Sequence, residues 1–119
     1  MNKINLKQLK FKTRFEYLRS IVFEEKALQQ KGAVFEVVKF PPNVQNKKHS
    51  HKRTTEIFFI KKGKGIIMID GKKYPVQEND ILLIPQECIH QVMNKSKKDL
   101  IILIFKTNSA EDDLYFSKN

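Results

Sequence analysis

The sequence predicts an all-β chain folded as a barrel or sandwich, and three observations carry that expectation. Short runs of Ile, Val and Phe recur at intervals of about ten residues. Turn residues separate them, as at Gly63-Lys64-Gly65, Asp70-Gly71 and Glu78-Asn79-Asp80. No helical period is sustained, since the best helix-forming stretch, Glu24 to Lys31, spans about two turns and is closed by Gly32.

Taken in order, the chain opens with sparse apolar residues from Asn2 to Lys12. Ile4 and Leu6 fit a strand there, while Leu6 and Leu9 fit a helix equally well. Phe15 to Phe23 is expected as a strand, Glu24 to Lys31 as a connection with one helical turn, and Ala33 to Phe40 as a further strand. Pro41-Pro42 stops it, because proline has no backbone donor to give a sheet. Ile57 to Ile60 and Ile66 to Ile69 flank the glycine turn, and Asp70-Gly71 has the positive-φ chemistry of a two-residue hairpin. Ile81 to Ile84 is a short apolar strand stopped by Pro85. Ile89 to Asn94 carries His90 on the face of Val92 and Asn94, and Leu100 to Phe105 is the last strong strand. The tail from Thr107 to Asn119 is polar, with Leu114, Tyr115 and Phe116 as its anchors. The expected organisation is an N-terminal extension over residues 1–32 packing on a barrel or a dimer partner, a barrel over 33–106, and a docking tail over 107–119.

Bulk properties narrow the function classes. A chain of 119 residues is the size of one domain with one core. The net charge of +10 raises nucleic acid or anionic membrane as partners. Only Arg14, Arg19 and Arg53 are arginine, however, and recognition of phosphate and base edges favours the arginine fork. Lysine is spread over every segment, so nucleic acid is not the expected partner. Cys88 is alone, which excludes an internal disulfide framework. No apolar run has signal-peptide or membrane-spanning length, and a cytoplasmic address is expected by default.

The chemistry-bearing stretch is His49-Ser50-His51 followed by Glu56, answered by His90; these are the only histidines in the chain. In an extended strand residues i and i+2 share a face, so His49 and His51 are placed to hold one ion. Glu56 stands at the entrance of the apolar run Ile57 to Ile60, where an unpaired carboxylate is costly. A divalent cation removes that cost, and imidazole with carboxylate suits iron, manganese, nickel, copper or zinc. An ion that prefers six ligands and takes four from protein keeps positions open for water, dioxygen or a chelating substrate.

At these residues the sequence resembles the cupins. Their first motif, Gly, five residues, His-x-His, three or four residues, Glu, six residues, Gly, reads here from Asn43 through His49, His51 and Glu56 to Gly63. Their second, Gly, five residues, Pro-x-Gly, two residues, His, three residues, Asn, reads from Asn79 through Pro85, Glu87 and His90 to Asn94. All spacings are kept, over roughly Ala33 to Phe105. Three glycines are replaced, by Asn43, Asn79 and Glu87. Asn tolerates the left-handed backbone region, whereas Glu87 leaves its loop conformation open. The resemblance implies a double-stranded β-helix, or jelly roll, with one divalent metal held by His49, His51, Glu56 and His90.

That fold hosts many reactions, so the resemblance implies several functions. An Fe or Mn oxygenase acting on a small oxygen-rich molecule comes first, with sugar or sugar-phosphate isomerisation second. A metal- and ligand-binding or sensor protein without catalysis is the alternative. Inward polar residues beside the metal favour an enzyme, and wholly apolar inward positions favour a binding module. Around the motifs, Lys52 and Arg53 either hold an anionic substrate or form a solvated strand end, the commoner case. Cys88 reads as a small core residue rather than a reactive thiol, and Glu87 as solvent-facing rather than bonded to a ligand. The apolar surplus near Phe15 to Phe23 suits a homodimer.

Overall fold

The computed structural model describes residues 2–117. Met1, Lys118 and Asn119, the outer ends of the expected extension and tail, lie outside the described residues. A 3-10 turn at Leu6–Gln8 precedes β1 (Lys12–Arg14) and β2 (Tyr17–Phe23), then a single helical turn, α1 (Glu25–Leu28). Nine strands follow: β3 (Val34–Phe40), β4 (His49–Ser50), β5 (Thr55–Lys62), β6 (Gly65–Ile69), β7 (Lys72–Val76), β8 (Ile81–Ile84), β9 (His90–Met93), β10 (Leu100–Thr107) and β11 (Tyr115–Phe116). They form two antiparallel sheets, ordered β1-β2-β3-β10-β5-β8 and β11-β4-β9-β6-β7. The all-β jelly roll is therefore present. Among the described residues no helix is long and apolar enough to cross a membrane.

The core lies between the sheets and follows from strand alternation. Val38 and Phe40 of β3, Ile102 and Ile104 of β10, and Phe58 and Ile60 of β5 face Ile67, Val76 and Val92 of the smaller sheet. Each such side chain stabilises the fold by about 1.5–3 kcal/mol on burial. At one end of the larger sheet the inward pattern changes character. The next inward positions on β3, β10 and β5 are Glu36, Lys106 and Glu56, and Lys106 is the cross-strand partner of Glu56. The barrel interior is thus apolar at one end and charged at the other.

The turns meet the expectation except at Phe15, and they settle the Glu87 loop. Phe15 belongs not to a strand but to the tight turn between β1 and β2, at φ 52°. Strand β7 is an exposed edge strand with Pro75 and two lysines, and it lacks the apolar alternation by which strands announce themselves. Asp70-Gly71 makes the expected hairpin, with both residues at positive φ. Asn43, Asn79 and Glu87 have φ of 63°, 77° and 66°, so all three replacements hold the left-handed conformation a glycine would take. Glu87 keeps it because its backbone N–H donates to the His51 carbonyl at 2.6 Å. Gly63 does need to be glycine, since its φ is 86° and a Cβ there would strike the Asp99 carbonyl.

Asn94 closes the core at its apolar end. It is 1% exposed, and its amide donates to the carbonyls of Phe40, Pro41 and Lys98 while its oxygen accepts from Ser96. Asn94→Ala removes the clamp and leaves buried carbonyls unpaired, a loss of about 2–4 kcal/mol in urea unfolding. A loss below about 1 kcal/mol would show that water replaces the amide.

Candidate metal centre

Strand pairing gathers the histidines. His49 of β4 is the register partner of His90 of β9, and their rings lie 4.1 Å apart. His51 follows two residues on, with its ring 5.4 Å from His49 and 5.5 Å from His90. One nitrogen from each of the three can be chosen so that all lie within 4.8 Å of one another. Glu56, at the start of β5, reaches across from the other sheet, with Oε1 2.8 Å from His51 Nε2 and 3.7 Å from His90 Nε2.

The backbone decides which nitrogen of each ring faces inward. His49 Nδ1 lies 2.8 Å from the Lys47 carbonyl, His51 Nδ1 2.7 Å from that of Asp113, and His90 Nδ1 3.1 Å from that of Cys88. A carbonyl only accepts, so each Nδ1–H donates outward and each Nε2 is turned to the centre. His90 Nε2 is fully buried there and, among the described residues, has no hydrogen-bond partner. An orphaned buried acceptor is costly, and a cation satisfies it.

Electrostatics agree with this donor set. Burial and the neighbouring His90 push His49 down to about 4, so its imidazole stays neutral, the form that can ligate a cation. Burial would lower His51 too, but the hydrogen bond and charge of Glu56 outweigh it and raise its pKa. Burial opposes ionisation of Glu56, yet His51, His90 and the Lys106 charge hold its carboxyl well below the usual range. The site keeps a carboxylate and wants positive charge beside it. Three imidazoles and one carboxylate therefore fit a divalent transition metal.

The centre opens into a pocket whose far wall is the charged end of the larger sheet. Glu36, Tyr17 and Lys106 line it, Phe58 and Val92 supply apolar wall, and Phe15, Phe116, Arg14 and Lys47 stand at the mouth. The wall residues had a sequence signal, because Glu36 and Lys106 share strand parity with core residues Val38 and Ile104. Asp113 had none. Its carboxylate accepts from the backbone N–H groups of Lys52, Arg53 and Thr54 and from the Thr54 hydroxyl, and its carbonyl holds His51. One tail residue thus shapes the loop between two of the expected ligands.

Of the remaining expectations, the solvated strand end holds for Lys52 and Arg53, and only that for Cys88 needs correcting. Lys52 and Arg53 do not enter the pocket: Lys52 lies over the Tyr115 ring at 4.6 Å and Arg53 pairs with Asp112 at 2.8 Å, both at the surface. Cys88 is half-buried rather than core, and burial with the adjacent Asp70 carboxylate raises its thiol pKa, which argues against a reactive thiolate. The Glu87 side chain is solvent-exposed, as expected.

Asp113→Ala strands three backbone donors, and the expected loss is about 2–4 kcal/mol in chemical denaturation. Burial alone would raise the Asp113 pKa, but hydrogen bonds from Thr54, Arg53 and Lys52 hold it at about 2, against an ordinary 3.8. A depressed carboxylate pKa adds stability that is complete above the ordinary value and lost as pH falls through the folded one. Wild type should lose stability between these values more steeply than Asp113→Asn; parallel acid curves would remove Asp113 from that account.

The sequence and the fold have known relatives. The chain is 27% identical over 82 residues to an oxalate-binding protein of Thermotoga maritima, covering 69% of this chain and 68% of that one. Its fold matches the crystal structure of a predicted oxalate decarboxylase from Thermotoga maritima, with TM-score 0.82, 19% identity, and coverage of 88% and 97% of the two chains. The polyketide cyclase RemF of Streptomyces resistomycificus matches with TM-score 0.85 at 14% identity, over all of this chain and 87% of that one. Such distant likenesses establish the fold alone. The sequence pattern of the Cupin domain family matches residues 36–106, more than half of the chain, and the protein belongs to that family.

Proposed function

We propose that the protein binds one divalent transition metal through His49, His51, Glu56 and His90 and takes a small oxygen-rich molecule into the adjoining pocket. The observation that carries this reading is the outward anchoring of all three Nδ1 atoms on carbonyls, which turns three Nε2 atoms and the Glu56 carboxylate toward one point. A metal bound there supplies a Lewis acid or, if it is iron or manganese, a redox centre. The chain's own residues do the rest. The Asp113 carbonyl orients His51, Phe58 and Val92 keep water from the inner wall, and Lys106 and Tyr17 present polar groups to a ligand.

Those inward polar groups support an enzyme, and an Fe or Mn oxygenase is the enzymatic reading. The second reading is ligand binding without turnover, which the name of the Thermotoga maritima oxalate-binding relative favours. A lone unpaired cysteine suits a reducing cytoplasm.

The same reading includes a homodimer. The outer face of the larger sheet carries two register rows, Phe35-Phe105-Ile57-Leu83 and Val37-Leu103-Phe59-Ile81, without a charged side chain. Ile81 and Leu83 are 69% and 58% exposed. A chain of net charge +10 repels its own copy wherever lysines meet, so an uncharged apolar face is where a second copy can approach.

Elemental analysis of the purified protein tests the metal. The expected result is one equivalent of iron, manganese, nickel, copper or zinc per chain, lost in the His49→Ala, His51→Ala double variant. No metal in either, even after anaerobic reconstitution, would overturn the metalloprotein reading. Light scattering at micromolar concentration tests the dimer: twice the chain mass is expected, falling to one chain in Ile81→Lys, Leu83→Lys, and a wild-type monomer would rule it out.

A further inference from the structure

The wall facing the metal centre carries an ammonium, Lys106, that stands beside Glu56 in register and is paired directly with a second buried carboxylate, Glu36. Lys106 is the inward residue at the end of β10, its side chain only 13% exposed, with Nζ 3.3 Å from Oε1 of Glu36, which is 2% exposed. Burying an ion pair is no gain in stability over an apolar pair of similar size. An apolar pair would simply continue the rows of Ile104 and Val38 beneath. The pair therefore calls for an explanation beyond packing.

Charge and hydrogen-bond balance supply one. The enclosed carboxylates are Glu36 and Glu56, and the enclosed ammonium is Lys106. A divalent ion at the histidines leaves this interior with net positive charge. The mouth adds a further net positive charge, since Arg14 lies over the Phe15 ring at 5.1 Å and Lys47 over the Phe116 ring at 5.9 Å, against the one exposed carboxylate of Glu16. Donors also outnumber acceptors on the wall. Lys106 has two further N–H groups beyond the one facing Glu36, and the Tyr17 hydroxyl accepts from Arg14 Nε at 3.2 Å, which leaves its own proton to donate. Glu36, the one carboxylate of this wall, is occupied by Lys106. The edge-to-face contact of Phe15 and Phe116, with centroids 5.4 Å apart, narrows the entrance to small molecules.

We infer that Lys106, held in position by Glu36, is the specificity-determining residue of the pocket and that the ligand is a small carboxylate shared between the metal centre and the Lys106 ammonium. The inference rests on the metal-centre reading and adds the ligand class to it. Glu36 is a positioning residue: it fixes the ammonium without itself meeting the ligand.

The test titrates metal-loaded protein calorimetrically with oxalate and with oxamide, its neutral diamide analogue, after the metal content of each sample has been measured. Wild type is expected to bind oxalate and discriminate against oxamide. Lys106→Met, Glu36→Gln removes both charges together and so leaves no unpaired buried carboxylate to unfold the chain. It should keep full metal content and lose about 10- to 100-fold in oxalate affinity, the worth of a charge-assisted hydrogen bond. Oxamide binding should be unchanged, and Lys106→Arg should retain oxalate within a few-fold. Unaltered oxalate affinity in the double variant, no oxalate binding by metal-loaded wild type, or equal affinity for oxamide would each overturn the role of Lys106 while leaving the metal centre standing. A wild-type chain that takes up no metal overturns both.

Discussion

The two-residue period of the strands, held in register across the larger sheet, is the constraint on which the rest depends. Because β3, β10 and β5 are locked side by side, one alternation pattern decides both what fills the core and what faces the site. Leu100, Ile102 and Ile104 drive burial, and one step further along the same face stands Lys106. A one-residue slip of β10 would turn Lys106 out and bring Phe105 in, losing core and site together. Stability and site geometry are thus enforced by the same hydrogen-bonded ladder. The smaller sheet contributes the complementary half, since the pairing of β4 with β9 sets His49 against His90.

Around that frame the histidine rings are oriented by backbone rather than by side chains. Carbonyls of Lys47, Asp113 and Cys88 fix the three imidazoles. The two motif loops are also tied to each other, through Glu87 N–H to the His51 carbonyl and Gln86 Nε2 to the Arg53 carbonyl. Backbone acceptors cannot change rotamer or protonation state. They hold a ring more rigidly than an acidic partner would, and they leave the one carboxylate of the cluster, Glu56, facing the centre.

Much of this was legible in the sequence, and the reasons for the rest are physical. Apolar runs such as Ile81 to Ile84 and Leu100 to Phe105 announced their strands because burial on one or both faces demands them. The spacing of His49, His51, Glu56 and His90 announced the cluster. Strand β7 was silent because an exposed edge needs no apolar alternation, and its lysines guard it against pairing with other chains. The short strands β4 and β11 are held by pairing with each other and, for β4, with β9, so only the His49-Ser50-His51 alternation marks β4 and nothing local marks β11 as a strand. Lys52 and Arg53 looked relevant by proximity in sequence, yet the turn that follows His51 carries them to the surface. Asp113 was invisible for the converse reason, since its partners lie about sixty residues away.

That separation also orders events during synthesis. The chain is made from its N-terminus at about 5–20 residues per second, so His49, His51 and Glu56 emerge several seconds before Asp113 can fix the loop between them. Until then the 51–54 backbone has no carboxylate to gather its N–H groups, and β4 lacks its outer neighbour β11. The loop that carries His51 is therefore fixed only once Asp113 has emerged, although His49, His51 and Glu56 are made well before it. A nascent barrel can thus bury its apolar end before the loop that carries His51 takes its final shape.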